Sequence, residues 1–418
     1  MLDIKLFREN PEIIRESEKR RFKDPSVVDK VIELDSLWRE KLKALEGFRC
    51  EKNRISKEVG LFKKQGKNAD GLMKEAGATD EKMAQLDKEI KSLLRVRDEY
   101  RYRVGNILHE SVPDAPTDEG NVTVRTVGSP RTFDFGPKGH ADLVERFAEL
   151  ERASRISGAR TYFLKGDLAM INLGLIKLGL DILIKRGFTP MWTPYFLKGE
   201  FMKGAAELSD FEQTLYKLEG EDSYMIATSE QTLASFHAGE VIDEGALPLK
   251  YAGYSSCFRK EAGSHGKDTK GIFRIHQFDK VEQFILCKPE DSWKFHEELI
   301  ACAEEIYKAL ELPYRIVNIA SGDMNDNAAK KYDLEAWFPA QKTFRELVSC
   351  SNCTDYQARK LNIRMGKFGG EKQLLHTLNC TAIATERTLS CILENNQQAD
   401  GTIVVPKVLR EFVGKEVI

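Results

Sequence analysis

Two strand-like segments around a glycine-rich loop carry an unusually high density of charged side chains. The stretch is FRKEAGSHGKDTKGIFRIHQFDKVEQF, which runs from Phe258 to Phe284. A strand period of two places these residues of its second half on one face: Arg274, His276, Phe278, Lys280 and Glu282. An arginine can neutralise a phosphate, an aromatic ring can stack on a base, and a carboxylate can hold an ammonium group. The pattern fits a nucleotide-binding platform, and it equally fits a solvated hairpin with cross-strand ion pairs.

One CxxC, formed by Cys350 and Cys353, has the spacing of a metal site. Cys380 and His376 are conceivable completing ligands for zinc. The sequence has no second CxxC, so we do not expect a zinc site.

The composition is that of an ordinary soluble protein. The chain has 418 residues, which favours two domains, and its net charge is −2. A nucleic-acid partner would therefore have to meet a local basic surface. There is no apolar run near the length of a membrane span, and MLDIKLFREN mixes acids and bases as a targeting peptide would not. We expect a cytoplasmic protein with reduced thiols and no membrane contact.

The first quarter of the chain has heptad spacing. Apolar residues recur at steps of three and four from Val27 to Phe62 and again from Met83 to Ile107, with Arg97 breaking the second run. The glycine-containing segment between the runs predicts a reversal, and hence an antiparallel two-helix coiled-coil arm over residues 27–108. The arm holds 19 basic and 15 acidic residues. It suits either a dimerising or spacer coiled coil or a contact with a phosphate backbone.

Beyond the arm the pattern changes to mixed helices and short strands. SVPDAPTDEGN, residues 111–121, is interpreted as a linker between an N-terminal domain, 1–110, and a second domain, 122–418. Asp167 to Arg186 predicts an amphipathic helix. FTPMWTPYF follows as an extended run, in which Pro190 and Pro194 exclude helix and disfavour a central strand.

Several segments, in order along the chain, resemble the seryl-tRNA synthetases, a family of class II aminoacyl-tRNA synthetases. GFTPMWTPYF resembles motif 1, with Pro194 in the position of the motif's proline, and the charged segment resembles motif 2. YMIATSEQTLASFH resembles the serine-binding segment. FRELVSCSNCTDYQAR and LNCTAIATERTLSCILENNQ resemble a second ATP segment and motif 3. The sequences of these motifs are most similar to those of the eukaryotic cytosolic and archaeal branch of the family.

The resemblance implies an α+β fold: an antiparallel sheet flanked by helices, dimerised through motif 1, with the coiled-coil arm at the N-terminus. It implies that ATP and L-serine react to seryl-adenylate and that serine then passes to the 3′ end of tRNA(Ser). The arm and the motif 2 loop, which contains His265, would contact the tRNA. Whether tRNA(Sec) is also a substrate stays open.

The resemblance also implies the site residues. Arg259 and Arg387 are the expected catalytic residues, Arg259 spanning the serine carboxylate and the α-phosphate. The residues expected to bind serine are Thr228, Glu230, Arg259, Glu282, Asn379 and Thr381. The residues expected to bind ATP are Arg259, Lys260, Glu261, Ile275, His276, Gln277, Phe278, Glu346, Leu347, Val348, Ser349 and Arg387. Glu346 and Ser349 match magnesium-binding positions, which hard oxygen ligands suit.

Three questions remain open in the sequence. Glu230 and Glu282 could divide the amino and hydroxyl groups of serine in either way. Glu386 places an acid beside Arg387, so either it points away along a strand or it weakens the grip on the γ-phosphate. Two other classes of protein, an activating enzyme for a carrier protein and a catalytically idle binding paralogue, also compete. The first lacks such an arm, and the second would not need every polar motif position filled.

Overall fold

The computed structural model describes residues 1–262, 268–367 and 369–418; of residues 208, 209 and 212 it describes the backbone only. The helices in chain order are α1 (Ile4–Glu9), α2 (Pro11–Arg20), α3 (Ser26–Lys64), α4 (Asp70–Tyr102), α5 (His140–Val144), α6 (Leu150–Ser157), α7 (Asp167–Lys185), α8 (Gly199–Ala205), α9 (Leu208–Gln213), α10 (Ser229–Ser235), α11 (Ser292–Ala309), α12 (Tyr356–Lys360), α13 (Thr385–Asn396) and α14 (Arg410–Val413).

The strands are β1 (Val122–Val127), β2 (Ala148–Glu149), β3 (Phe163–Leu164), β4 (Thr189–Trp192), β5 (Phe196–Lys198), β6 (Ser223–Met225), β7 (Val241–Ile242), β8 (Leu249–Phe258), β9 (Gln277–Cys287), β10 (Tyr314–Asn318), β11 (Lys330–Phe338), β12 (Thr343–Asn352), β13 (Arg364–Met365), β14 (Gln373–Leu374) and β15 (His376–Ala384). Eight of them form one sheet in the order β1-β10-β11-β12-β15-β9-β8-β4. Every neighbouring pair in it is antiparallel except β4 with β8. The predicted α+β fold with an antiparallel sheet is confirmed.

The two faces of this sheet differ in chemistry. Alternate residues of the central strands, such as Leu334, Val348 and Cys380, belong to a large apolar core that also takes in residues of α7, α11 and α13. The intervening residues, such as Asp333, Ser349 and Thr381, are polar. The apolar face therefore anchors the sheet, and the polar face is free to form a site.

The prolines of the predicted extended run are placed as their chemistry requires. Pro190 lies in β4, which is an edge strand of the eight-stranded sheet, where a missing N–H is tolerated. The helix predicted before it is α7, ending at Lys185 one residue before the predicted end. In contrast, the strands of the charged segment are shorter than predicted. β8 ends at Phe258 and β9 begins at Gln277, so Arg274 and His276 lie outside the strands.

The predicted coiled-coil hairpin is formed by α3 and α4. Ion pairs Asp35–Arg97, Lys41–Glu89 and Lys52–Asp80 run in opposite directions along the two helices, which makes them antiparallel. Leu34, Leu45, Ile55 and Ile90 are buried as the heptads predict. Phe62, also predicted for the apolar seam, is 38% exposed.

Arg97, the residue that interrupts the heptad pattern, contacts residues of the other arm helix. Arg97 is buried, donates a hydrogen bond of 2.9 Å to Asp35, and its guanidinium lies 5.2 Å from the ring centroid of Trp38. The reversal is shorter than predicted, because α3 continues to Lys64 and α4 already begins at Asp70. The glycines of that segment other than Gly66 therefore lie inside the helices.

By internal contacts the chain divides into two units. One comprises residues 2–19 and 23–105, and the other residues 1, 20–22 and 106–418. Residues 111–121 lie within the second unit. Among the described helices, none is both long and apolar enough to cross a membrane.

Candidate active site

Two adjoining cavities of about 150 and about 510 Å³ open over the polar face of the eight-stranded sheet. Both are lined by Thr228, Glu230, Arg259, Glu261 and Arg274. The smaller one brings together most of the residues that the sequence assigns to serine, ATP and magnesium. They are Thr228, Glu230, Arg259, Glu261, Ile275, Phe278, Glu282, Glu346, Leu347, Ser349, Asn379, Thr381 and Arg387.

A β-bulge explains how two of these residues share a face. Glu346 and Ser349 are three apart, so strict alternation would place them on opposite faces of β12. In the register with β11, Ser349 opposes Asp333 and Glu346 opposes Glu335, while Leu347 is the extra residue. The bulge turns both predicted magnesium ligands to the polar face.

The residues predicted to bind serine come from four places in the fold: the start of α10, the end of β8, β9 and β15. Thr228 is the N-cap of α10 and accepts a hydrogen bond of 3.2 Å from the backbone N–H of Glu230. The carboxylate of Glu230 accepts hydrogen bonds from Gln357 (2.8 Å) and Asn379 (3.0 Å). Burial, together with the nearby carboxylate of Glu282, raises the pKa of Glu230 to about 7. This acid thus has two neutral amides as partners.

Glu282 is held differently. Its carboxylate lies 2.6 Å from the ammonium group of Lys280 and accepts a hydrogen bond of 3.3 Å from Thr381. Burial raises the pKa of Glu282, although the ammonium of Lys280 acts against this shift. The two acids predicted to bind serine therefore differ, because Glu282 has a cationic partner in contact and Glu230 has amide partners.

Arg259 follows β8 and turns back into the cavity. Its Nε donates a hydrogen bond of 3.2 Å to the carbonyl oxygen of Ala227, and its guanidinium lies 5.1 Å from the ring centroid of Phe278. Glu261, two residues on, has a φ of +53° and accepts a hydrogen bond of 2.8 Å from Arg274. A non-glycine residue in this left-handed region is uncommon and costs free energy, and such positions cluster at functional sites.

Arg387 and Glu346 close the opposite side of the cavity. The guanidinium of Arg387 lies 3.4 Å from the Glu346 carboxylate and 5.2 Å from the ring centroid of Phe273. Although burial acts against it, Arg387 and Lys331 lower the pKa of Glu346 below its ordinary value. Glu346 is thus kept as an anionic oxygen donor.

The residues around Glu346 and Ser349 fit a hard divalent cation. Asp333, directly opposite Ser349, is 6% exposed, and its Oδ1 has no hydrogen-bond partner among the described residues. A buried carboxylate oxygen without a donor is what a nearby cation would satisfy. Carboxylate and hydroxyl oxygens are also the ligands that Mg²⁺ prefers.

Four predicted ATP residues are placed around the cavity rather than in its wall. Val348 is fully buried and belongs to the apolar core. Gln277 is exposed and pairs with Phe258, and the backbone N–H of Lys260 donates to Thr214. His276 joins the ends of β8 and β9, since its Nδ1 lies 2.9 Å from the carbonyl oxygen of Arg259.

Other site residues were not singled out for this role by the sequence. Phe273, Lys280 and Ala384 line the cavity, and Gln357 orients Glu230 from 127 residues away. Lys280 alone had a detectable signal, since it shares the face of Phe278 and Glu282. Gln357 lies on α12, and nothing in its local sequence indicates that it reaches Glu230.

Glu386 does not point away along a strand, which was one of the two sequence alternatives. It lies in the first turn of α13, not on a strand, and it is 3% exposed in the cavity wall. Burial raises its pKa to about 8, with Arg387 acting against the shift, so its carboxyl is mostly protonated at neutral pH. The expected negative charge beside Arg387 is therefore largely absent at that pH.

The cysteines do not assemble into a metal centre within the described residues, where no group of three or more candidate ligands occurs. Cys350 faces the core opposite Cys380, whereas Cys353 contacts the amide of Asn379 at 3.5 Å. His376 lies 2.9 Å from the hydroxyl of Ser292. His265, expected to face the tRNA, lies with residues 263–267 outside the described part of the chain.

Comparisons with known proteins match both the N-terminal part of the chain and the part that carries the site. The family model for the seryl-tRNA synthetase N-terminal domain matches residues 1–108, and that for the tRNA synthetase class II core domain (G, H, P, S and T) matches residues 214–396. A serine–tRNA ligase of Methanosphaera stadtmanae is 54% identical, covering 100% of this chain and 99% of the relative. A cytoplasmic serine–tRNA ligase of Arabidopsis thaliana is 48% identical, covering 100% of this chain and 95% of the relative.

Among solved structures, the seryl-tRNA synthetase of Pyrococcus horikoshii, complexed with ATP, has a TM-score of 0.94 and 44% identity. The likeness covers 100% of this chain and 99% of that one. Full-length similarity at this level, together with the two domain matches, shows that the chain belongs to the seryl-tRNA synthetase family of class II aminoacyl-tRNA synthetases.

Proposed function

We propose that this enzyme activates L-serine with ATP and transfers the seryl group to the 3′ end of tRNA(Ser). The observation that carries the proposal is the pair of buried acids, Glu230 and Glu282, facing one small cavity beside Arg259. A pocket with two acids suits a small amino acid with one ammonium and one hydroxyl group. The adjacent arginines suit its carboxylate and the phosphates of ATP.

The different partners of the two acids suggest how they divide the substrate. Glu230 accepts hydrogen bonds from two neutral amides, Gln357 and Asn379, so its charge is available for the serine ammonium. Glu282 is already neutralised by Lys280 and accepts from Thr381, so it is suited to a neutral donor, the serine hydroxyl. Alanine would leave the oxygens of Glu282 and Thr381 without that donor, and a buried polar group without a partner is costly.

In the first step the carboxylate oxygen of serine attacks the α-phosphorus of ATP. A P–O bond to serine forms as the bond to the leaving pyrophosphate breaks. Arg259 holds both reactants and neutralises the charge that develops on the α-phosphate, while Arg387 stabilises the γ-phosphate end. Phe278 stacks on the adenine, and Glu261 accepts from its amino group. Lys260, Ile275, His276, Gln277, Leu347 and Val348 support the nucleotide through backbone and shape.

Magnesium is the expected partner of the triphosphate. Glu346 and Ser349 would hold Mg²⁺, which supplies charge neutralisation to the phosphates when bound. The unpartnered oxygen of Asp333, beside Ser349, supports the choice of this place.

In the second step the terminal ribose hydroxyl of the tRNA attacks the seryl carbonyl, and AMP leaves. The larger cavity adjoins the serine pocket and gives that ribose an approach to the carbonyl. The arm, with a net positive charge, would hold the tRNA body through exposed lysines and arginines such as Arg49, Lys57 and Lys64. tRNA(Sec) is a second substrate to test in the same assay.

The enzyme is proposed to be a cytoplasmic homodimer. The motif 1 segment exposes the large side chains of Trp192 (76% accessible) and Phe196 (59%), and Ile156 of α6 is also exposed, at 66%. Exposed apolar residues in this number indicate a protein interface. A cytoplasmic location rests on the Arabidopsis thaliana relative. Light scattering on Trp192→Asp, compared with the unmodified protein, tests the dimer.

ATP–pyrophosphate exchange, measured with each amino acid in turn, tests the proposed activity. Exchange should depend on serine. Exchange driven by another amino acid would reject serine as the substrate, and no exchange at all would favour a binding paralogue. Charging of tRNA(Ser) by the same preparation separates this enzyme from one that activates an amino acid for a carrier protein.

The role of the arm can be tested without deleting it. Reversing the charge at exposed positions, as in Lys57→Glu with Lys64→Glu, should raise the KM for tRNA and reduce its salt dependence. Serine-dependent exchange should be unchanged. Reversal of acidic positions on the same helix, as in Glu40→Lys with Glu46→Lys, is the matched control. Equal charging by the Lys→Glu variant and the unmodified enzyme would refute an electrostatic contact between this face and the tRNA.

A further inference from the structure

Three arginines meet around Phe273, and each has an acidic partner. The guanidiniums of Arg345 and Arg387 lie 4.1 and 5.2 Å from the ring centroid of Phe273, and Arg274 is the next residue in the chain. The pairs are Arg274 with Glu261 (2.8 Å), Arg345 with Asp268 (2.7 Å) and Arg387 with Glu346 (3.4 Å). In this arrangement the three positive charges are balanced by three negative ones.

Asp268 is the acid that contacts two of these arginines. Besides the contact with Arg345, its Oδ2 lies 3.6 Å from the Nε of Arg274. The Asp268 side chain is 15% exposed. Although burial acts against it, the two arginines hold the pKa of Asp268 below its ordinary value. A carboxylate shielded in this way binds its arginines more strongly than a surface ion pair would.

The backbone at Asp268 indicates that these contacts hold it in an unfavourable conformation. Its φ is +46°, in the left-handed region that costs free energy for a residue with a Cβ. Aspartate tolerates this region better than most residues, and the two contacts of its carboxylate with Arg274 and Arg345 help to hold it there. Release of the carboxylate would therefore also release the backbone strain.

A triphosphate cannot simply be added to this balanced cluster. It brings several negative charges, so the arginines can neutralise it only if an acid leaves or a cation enters. Glu261 has an expected partner in the bound state, the adenine amino group, and Glu346 has Mg²⁺. Asp268 has no expected partner of this kind.

We propose that the Asp268 carboxylate occupies the position of a terminal phosphate on Arg345 and Arg274, and that ATP must displace it to bind. Asp268 is an intramolecular competitor for the triphosphate. This inference rests on the proposed function, because it assumes that ATP binds in this cavity. It adds a selection among nucleotides: only one with phosphates beyond the α-phosphate reaches Arg345 and meets the competitor.

Asp268→Asn tests the inference in the full-length protein. The amide keeps the size of the side chain but loses the charge that holds the arginines. Titration calorimetry without serine should show ATP, in the presence of Mg²⁺, binding about 3- to 10-fold more tightly, equivalent to about 0.6–1.4 kcal/mol. AMP should bind with unchanged affinity. Asp243→Asn, which alters a loop aspartate outside the cavity, should change neither affinity.

The sign of the effect decides between two roles. Weaker ATP binding by Asp268→Asn would mean that Asp268 orients the arginines for ATP, and would overturn the inference. An unchanged affinity for ATP, or an equal change for ATP and AMP, would overturn it as well.

A second variant tests whether the contact between Asp268 and Arg345 carries the competition. Arg345→Gln should weaken ATP binding and leave AMP binding unchanged, and adding Asp268→Asn to it should have a much smaller effect than in the unmodified protein. If Asp268→Asn acts equally in both backgrounds, the competition does not involve Arg345 and the inference fails. The proposed function is judged separately, by serine-dependent exchange in the unmodified enzyme.

Discussion

Replacing Glu230 by glutamine should have opposite effects on serine binding and on the stability of the empty enzyme. The side chain keeps its shape, so Gln357 and Asn379 can still donate to an oxygen at the same place. The negative charge is lost. If Glu230 holds the serine ammonium, the variant loses one charged hydrogen bond in the substrate complex.

The loss of affinity follows from that one contact. A hydrogen bond to a charged group contributes about 1.5–3 kcal/mol, and about 1.4 kcal/mol corresponds to a factor of ten. The KM for serine in ATP–pyrophosphate exchange should therefore rise about 10- to 150-fold. The KM for ATP should stay unchanged, because Glu230 lies on the serine side of Arg259.

The stability effect has the opposite sign. Because the pKa of Glu230 is raised from 4.5 to about 7, the folded protein binds more protons than the unfolded chain between these pH values. Its contribution to stability is present below pH 4.5 and is lost as the pH rises to 7, a change of about 3 kcal/mol at most. Water in the open pocket reduces this figure, so Glu230→Gln should stabilise the unliganded protein at pH 8 by about 1–2 kcal/mol. Chemical denaturation at pH 5 and pH 8 measures it.

The pH dependence of serine binding provides a further check. Below pH 7 the unmodified carboxyl gains a proton, so serine affinity should fall about tenfold per pH unit, and this fall should be absent in Glu230→Gln. Glu304→Gln is the matched control. That carboxylate is also buried, but it accepts from Arg125 and Tyr314 away from the cavity. It should lose stability with an unchanged KM for serine.

Two results would refute the reasoning. A KM for serine within about threefold of the unmodified enzyme, at a Glu230→Gln stability that shows a folded protein, would remove the ammonium from Glu230. A Glu230→Gln variant that is less stable than the unmodified protein at pH 8 would mean that the ionised carboxylate is favoured by its surroundings and not penalised by burial.

Three other changes test separate parts of the structure. Phe278→Leu should raise the KM for ATP about 5- to 150-fold in exchange assays, since a base–aromatic stack contributes about 1–3 kcal/mol, and an unchanged KM would remove Phe278 from the adenine site. Asp35→Ala removes the carboxylate that Arg97 shares with Arg8 and leaves Arg97 with Asp98 alone, so the unfolding free energy of the arm should fall by about 1.5–3 kcal/mol in thermal melts followed by circular dichroism, with serine-dependent exchange retained; an unchanged melt would contradict this. Glu386 ionises as the pH passes about 8, so ATP affinity should decline above that pH, and a decline that persists in Glu386→Gln would place its cause elsewhere.

Local sequence pattern accounts for the elements better than for the site. The heptads predicted α3 and α4, and the alternation correctly placed Phe278, Lys280 and Glu282 on one face of β9. It could not place the ends of these elements. The glycines between the arm helices suggested a long reversal, but most of that segment is helical in α3 and α4, where a Cβ at Gly60 or Gly71 would meet nothing within 4 Å.

The resemblance named the cavity residues because it compares whole motifs, including their irregularities. Alternation alone would have separated Glu346 from Ser349, because a bulge is a property of the paired strands and not of one strand. Contacts across the fold were also beyond local pattern. Glu230 and Asn379 are 149 residues apart, and only the packing of α10 against the sheet brings them within hydrogen-bond distance.

The buried acids of this site, which lie on β9, β11, α10 and α13, reduce the stability of the folded protein. Glu230, Glu282, Asp333 and Glu386 are buried or pocket-lining acids whose pKa values are all raised by burial. Each therefore disfavours the folded state once it is ionised. The opposite face of the same strands carries the apolar core, whose burial offsets that term. Neighbouring residues of a strand point to opposite faces, so one face can pack the core while the other carries the buried acids. The charges of these acids are fully balanced only when serine, ATP and a metal ion bind.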